Sequence, residues 1–167
     1  GCACGAIRYE ISADPIFMHN CQCRDCQQTS GTGHGSSLTF ADRKAVKLRG
    51  QATHWDVVAD GGNVKTRGFC PSCGAPVYLT FAAVPELFTI HAGSLDDPGR
   101  FAPQAVAYRM RGLAWDQVDP ALPQFDRMPP GRLAAKAVSP LGEEARATAS
   151  NHEARVPPPS ADSSPSG

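Results

Sequence analysis

The stretch Cys21-Gln22-Cys23-Arg24-Asp25-Cys26 places three thiols within six residues. Two pairs flank it, Cys2-Ala3-Cys4-Gly5 upstream and Cys70-Pro71-Ser72-Cys73-Gly74 downstream, and these three clusters hold all 7 cysteines of the 167-residue chain. Thiols so spaced can pair as disulfides, exchange electrons or hold a thiophilic metal. An odd count and adjacent C-x-C pairs disfavour disulfides. A redox C-x-x-C needs βαβ surroundings, which Cys70 and Cys73 lack. Metal-bound thiolates in a reducing, cytoplasmic setting are the better reading.

A closed structural zinc site takes four ligands, and thiolates arriving in close pairs on knuckle turns supply them with little loop entropy. Cys70-x-x-Cys73-Gly74 is such a knuckle, because the glycine lets backbone amides turn toward the sulfurs. Cys2-x-Cys4 is a matching half-site at the start of a strand. Together Cys2, Cys4, Cys70 and Cys73 form an expected four-cysteine site that staples the N-terminal segment to mid-chain. Cys21, Cys23 and Cys26 then have no fourth cysteine. Three protein ligands and an open position are how catalytic zinc is usually held. The alternative is a closed shell completed by His19 or His34; a disulfide inside the cluster, or iron in place of zinc, are others.

Charge separates what a three-thiolate site can do. Three thiolates around divalent zinc leave a net charge of about −1, which makes a weaker Lewis acid than an all-histidine site. Such a centre generates hydroxide poorly but accepts a fourth sulfur, holding an incoming thiol as thiolate near neutral pH. The ligand set therefore points to thiol capture and presentation rather than hydrolysis.

The elements that must position these thiols read mostly as short strands. Alternating apolar residues or hairpin signals predict strands at 6–11, 37–40, 45–49, 54–58, 64–67, 77–80, 87–91 and 105–108. Asp60-Gly61-Gly62-Asn63 is a strong hairpin turn whose second arm runs into Phe69-Cys70. Gln27-Gln28-Thr29-Ser30 makes one helical turn before Gly31-Thr32-Gly33-His34-Gly35 breaks it. The expected fold is mainly β: one zinc-binding β domain over residues 1–126. Residues 127–167, rich in Pro, Ala and Ser, are expected to be a disordered tail with at most a transient helix around 132–137.

Lys+Arg and Asp+Glu are both 16, a balance that argues against nucleic acid as the main partner. No apolar stretch approaches the roughly 18 residues that span a bilayer, and no signal peptide is visible. A small-molecule thiol is the expected partner. Among the remaining residues, His34 in the glycine-rich loop is the best non-cysteine candidate for acid–base work, with a surface-loop histidine as the plain alternative. Arg24 could meet a substrate carboxylate, although an exposed Arg24–Asp25 salt bridge is the plainer expectation. His91 reads as a satisfied core residue, and Trp55 and Trp115 as core or edge packing.

The order C-x-C-G, C-x-C-x-x-C, F-C-x-x-C-G and G-x-L-D resembles the glutathione-dependent formaldehyde-activating enzyme family, which includes the centromere protein V domain. The motifs here are Cys2 to Gly5, Cys21 to Cys26, Phe69 to Gly74 and Gly93-Ser94-Leu95-Asp96. The resemblance covers residues 1 to about 125. It implies a zinc-containing β-sheet fold of the β-tent type with two zinc ions. One would be structural, on Cys2, Cys4, Cys70 and Cys73; the other would be catalytic, on Cys21, Cys23 and Cys26. It further implies carbon–sulfur lyase activity, the condensation of formaldehyde with glutathione to S-hydroxymethylglutathione. A non-catalytic zinc module engaging a protein partner is the alternative. The family commonly has histidine where this chain has Gln22, which removes one candidate proton carrier.

Overall fold

The computed structural model describes residues 1–59 and 62–130. Among these residues the chain forms nine strands and one α-helix. Strands β1 (Arg8–Ile11) and β4 (Val46–Arg49) make a two-stranded antiparallel sheet. The other seven form one large sheet in the order β5-β6-β7-β8-β3-β2-β9. They are β2 (Phe17–Cys21), β3 (Gly35–Phe40), β5 (Thr53–Val58), β6 (Val64–Phe69), β7 (Pro76–Phe81), β8 (Phe88–His91) and β9 (Ala105–Ala107). All neighbours are antiparallel except β2 and β9. The mainly β expectation holds.

Strand alternation gives the large sheet two chemically different faces. One register row runs His54–Gly68–Tyr78–Ile90–Leu38–Met18 across six strands. Its apolar members, with Phe40 and Phe88, pack against Ile7 and Val46 beside the small sheet. Gly68 in this row is a spatial requirement. A β-carbon there would fall on the Tyr78 ring, which crosses it so that its hydroxyl meets His54 Nε2 at 2.7 Å. On the opposite face the row His19–Ser37–His91 is polar, and both His19 and Ser37 are buried. That polar face lies on the side where Cys21, two residues from His19, projects.

Most predicted strands recur with boundaries shifted by one or two residues. β2 is not among the strands the sequence predicts, because all five of its residues are buried and no alternation marks it. The hairpin reading also holds at its described positions, with Val58 opposite Val64 and the Ala59 amide bonded to the Asn63 carbonyl at 2.8 Å. Two expectations fail. Trp55 and Trp115 are 68% and 64% exposed, because β5 is an edge strand with no layer over it among the described residues and Trp115 lies in the loop after Gly112. His91 is half-buried, and its Nε2 atom is buried with no hydrogen-bond partner among the described residues. Residues 122–127 run beside β9, with Phe125 N–H donating to the Val106 carbonyl at 2.8 Å. The expected transient helix at 132–137, and most of the expected tail, lie outside the described residues. No helix among the described residues is long and apolar enough to cross a membrane.

Candidate metal centre

Two knuckles, each closed by a left-handed glycine, bring four thiols together. Cys2 and Cys4 precede β1, and Gly5 takes a φ of 78°; Cys70 and Cys73 follow β6, and Gly74 takes a φ of 71°. The left-handed turn folds each loop back, so that Gly5 N–H donates to the Cys2 carbonyl and Gly74 N–H to the Cys70 carbonyl. Ile7 N–H also donates to Cys2 Sγ at 3.1 Å. The four sulfurs lie within 4.8 Å of one another. Cys2 Sγ and Cys4 Sγ are 3.6 Å apart, and Cys4 Sγ and Cys70 Sγ 3.7 Å. A tetrahedral zinc with bonds of about 2.3 Å separates its sulfurs by about 3.8 Å, so the donor set fits that ion. Separations this long are not disulfides, and all seven cysteines are free. Hydrogen bonds from the Ala75 and Cys4 backbone hold the Cys73 thiol down at about 6, so one ligand is thiolate near neutral pH without any metal.

The second group comprises Cys21, Cys23 and Cys26, whose sulfurs also lie within 4.8 Å of one another. Three adjacent pieces of structure converge here. Cys21 ends β2. Cys23 is the N-cap of helix α1 (Arg24–Ser30), and its sulfur accepts from the Cys26 backbone N–H at 3.4 Å. Cys26 sits in the first turn of that helix, which closes on left-handed Gly31. Gly35 is opposite Cys21 in β3, and a β-carbon there would lie 3.1 Å from Cys26 Cβ. The glycine thus makes room for the helix to bring its thiol against the sheet.

Two buried thiols and a half-buried one cannot all ionise side by side without a cation. Hydrogen bonds from the Cys21 and Cys26 thiols pull Cys23 far down. Its partnership with Cys23 pushes Cys21 up to about 12, and Cys26 is pushed up by Cys21 and Cys23. The metal-free group therefore carries one negative charge over three sulfurs, and a divalent ion would let the other two ionise. Neither His19 nor His34 joins the sulfur group. His19 is stacked on Phe17 at 4.7 Å, has a buried Nδ1 without a partner, and is held down at about 4 by burial. His34 Nδ1 is bonded instead to Asp116 at 2.8 Å.

Cationic side chains stand beside the triplet. Lys65 Nζ bonds Asp25 Oδ2 at 2.6 Å, and Arg67 pairs with the same carboxylate and donates to the Asp25 carbonyl at 2.9 Å. The exposed Arg24–Asp25 pair expected from sequence is not formed; Arg24 bonds the Gln27 side chain, and Asp25 turns inward to β6. Burial alone would lower Lys65, but the hydrogen bond to Asp25 and the charge of that carboxylate hold the ammonium up. Asp25 precedes Cys26, so this clamp sets where the third thiol lies. Removing it with Asp25→Ala leaves two cations that are only 11% and 19% exposed without their partner. The expected cost is about 2–4 kcal/mol, read from the urea midpoint, with weaker metal retention at the triplet.

Sequence reasoning missed Lys65, Arg67, Gln27 and Asp116. Lys65 and Arg67 alternate along a strand as solvent-facing residues would, and Asp116 is 90 positions from Cys26; nothing local marks any of them. Gln27 Nε2 ties the knuckle to the turn at 109–111, donating to the Gln22 and Arg111 carbonyls at 2.9 and 3.0 Å. Gln22 itself is turned away from the sulfurs and donates to Asp116 Oδ2 at 3.0 Å.

Comparison with known proteins adds a family. Residues 1–111 match the family model described as glutathione-dependent formaldehyde-activating enzyme. No curated protein matches the chain. Among solved structures, a Rhodobacter sphaeroides protein from a structural genomics programme is similar at 17% identity, with a TM-score of 0.45, over 74% of this chain and 95% of its own. The family match spans both thiol groups and β1 through β9, and on it the chain belongs to the glutathione-dependent formaldehyde-activating enzyme family.

Proposed function

We propose that the chain is a two-zinc enzyme of the carbon–sulfur lyase type acting on a small thiol adduct. The named reaction is condensation of glutathione with formaldehyde to S-hydroxymethylglutathione. The observation that carries this reading is the three-thiol group, which among the described residues gains no fourth protein ligand. Cys2, Cys4, Cys70 and Cys73 would hold a structural ion, and Cys21, Cys23 and Cys26 the active one. When bound at the triplet, zinc would supply a Lewis-acidic fourth position that favours the thiolate form of an incoming thiol.

The chain's own residues do the rest. Cys21, Cys23 and Cys26 would hold the ion at the end of β2 beside α1. The Asp25–Lys65–Arg67 clamp holds Cys26 in place, and its two cations against one carboxylate would offset the negative charge of a three-thiolate centre. In the reaction a carbon–sulfur bond forms, the carbonyl π pair moves to oxygen, and the thiol proton ends on that oxygen. No oxidant or reductant is needed. A reducing compartment such as the cytoplasm suits seven free thiols.

The test is the absorption spectrum of cobalt-substituted protein with and without glutathione. Added sulfur-to-cobalt charge-transfer intensity in the wild type, absent from a Cys21→Ser, Cys23→Ser, Cys26→Ser variant, is the expected result. A spectrum that ignores glutathione and other thiols would sink the reading and favour a zinc module with two structural sites.

A further inference from the structure

Tyr108 is the one described residue other than glycine whose backbone is left-handed, with φ 58° and ψ 37°. A bulky side chain holds that conformation only where its surroundings enforce it. Here they do. The strand that the sequence predicts through Tyr108 stops at Ala107, the last residue of β9. Arg109 N–H donates to the Phe125 carbonyl and Arg111 N–H to the Tyr108 carbonyl, both at 2.9 Å. Gln27 Nε2 donates to the Arg111 carbonyl, which ties this turn to the helix that carries Cys26. None of these backbone bonds requires a tyrosine, and glycine or asparagine would adopt the same turn with less strain.

The left-handed turn decides where the ring goes. Ala107 lies opposite Cys21 in the parallel pair β2–β9, so the two share a face of the sheet. Continued as a strand, the chain would send its next side chain to the other face. Tyr108 instead packs against the same group as Ala107, the one formed with Cys21 and Cys23. Cys21, Cys23 and Ala107 are buried, and in that group only Cys26 and Tyr108 are half-buried. The solvent side of the three sulfurs is therefore the side that Tyr108 and Cys26 form. A molecule that comes to the triplet from water enters beside the Tyr108 ring.

We propose that the Tyr108 ring is a wall of the thiol site, packing on the carbon next to the incoming sulfur and keeping water off the open side of the triplet. The proposal rests on the function given above and adds a substrate-positioning residue to it. Two properties of the ring serve that role. It offers apolar area to the methylene group beside the thiol, and aromatic rings make favourable contacts with sulfur. The role is one of binding, and no proton moves at the phenol. The strained turn is what sets the ring against the sulfurs rather than on the far face of β9.

The experiment uses the cobalt-loaded full chain and compares wild type with Tyr108→Phe, Tyr108→Asn and Tyr108→Gly. Asparagine and glycine both suit the left-handed backbone, so their effects report the ring and not the turn. The first readout is the glutathione Kd from the charge-transfer band. The second is the rate at which a chelator removes cobalt from the triplet, assigned as the phase missing from the Cys21→Ser, Cys23→Ser, Cys26→Ser variant. In Tyr108→Asn and Tyr108→Gly the Kd should rise and the removal should speed up, each about tenfold. Tyr108→Phe should match wild type in both, and the thiol-free spectrum should be the same in all four proteins. A wild type that binds glutathione with a Kd that neither Asn nor Gly changes overturns the wall and leaves the proposed function standing. So does a Tyr108→Phe as weak as Tyr108→Asn, or a thiol-free spectrum altered by Asn and Gly, which would mean that Tyr108 shapes the ligand set itself. A wild type that ignores thiols, while Asn and Gly alone speed cobalt removal, overturns the function and leaves the ring as the cover of the triplet. Unchanged removal in a protein that ignores thiols overturns both.

Discussion

Replacing Cys70 with serine in the zinc-loaded chain is expected to lower Tm by about 20 °C or more, and chelation of the wild type should do the same. Structural zinc in small domains contributes about 10–16 kcal/mol to folding, which is comparable with the entire net stability of a domain, about 5–15 kcal/mol. At about 2–4 °C per kcal/mol for a chain of this size, its loss is close to loss of the fold. The topology makes the effect global. Cys70 is fully buried and ties the β6–β7 turn to the segment before β1. β1 pairs only with β4, and a two-stranded sheet is marginal on its own. That small sheet, with Ile7 and Val46, packs over the apolar face of the large one. Losing the staple frees β1, then uncovers Phe88 and Ile90, so scanning calorimetry should show one early or broadened transition. Thermal unfolding within about 3 °C of wild type would mean that the four-thiol group carries no such load.

How far the site was legible in the sequence follows from which contacts are local. The Cys2-x-Cys4-Gly5 and Cys70-x-x-Cys73-Gly74 knuckles encode their own geometry, because the glycine after each pair supplies the left-handed turn that aims the sulfurs. Cys23 and Cys26 are likewise local, joined through an N-cap at three-residue spacing. Strands exposed on one face announced themselves by alternation, whereas β2 is buried on both faces and carries Cys21 without a periodic signal. The helix is longer than its Gln27–Ser30 signal, because Cys23 caps it and Gln27 docks it, and neither looks like a helix signal. What could not be read at all was the second layer. Asp25 meets Lys65 and Arg67 about 40 residues away, and Asp116 meets Gln22 and His34 over 80 or more. Those pairings are made by sheet order, not by spacing. The tryptophans show the converse error, since a large apolar side chain does not say whether a second layer exists to cover it.

Zinc affinity at the triplet is expected to rise about a hundredfold per pH unit between about pH 6 and pH 8. The sign follows from which protons must leave. Cys23 is already thiolate in the metal-free protein, held down by the Cys21 and Cys26 thiols. Cys21, pushed up to about 12 by its bond to Cys23, and Cys26, also pushed up, are protonated throughout that window. Binding a divalent ion to three thiolates therefore expels two protons, and the apparent constant gains a factor of about ten for each per pH unit. As pH falls, the ion is lost from the triplet. Competition with a chromophoric chelator, in protein whose four-cysteine group is already loaded, measures the slope, and calorimetry in buffers of different ionisation heat counts the protons. A slope near zero would mean three preformed thiolates; a slope of three would mean that Cys23 is an ordinary thiol. Cys26→Ser should drop the slope to one, because the serine hydroxyl has no comparable proton to give up. Glutathione should release one further proton when it joins the loaded wild-type site, since its own thiol must ionise to bind there. That extra proton separates an open thiol-accepting centre from a closed structural one without any turnover being measured.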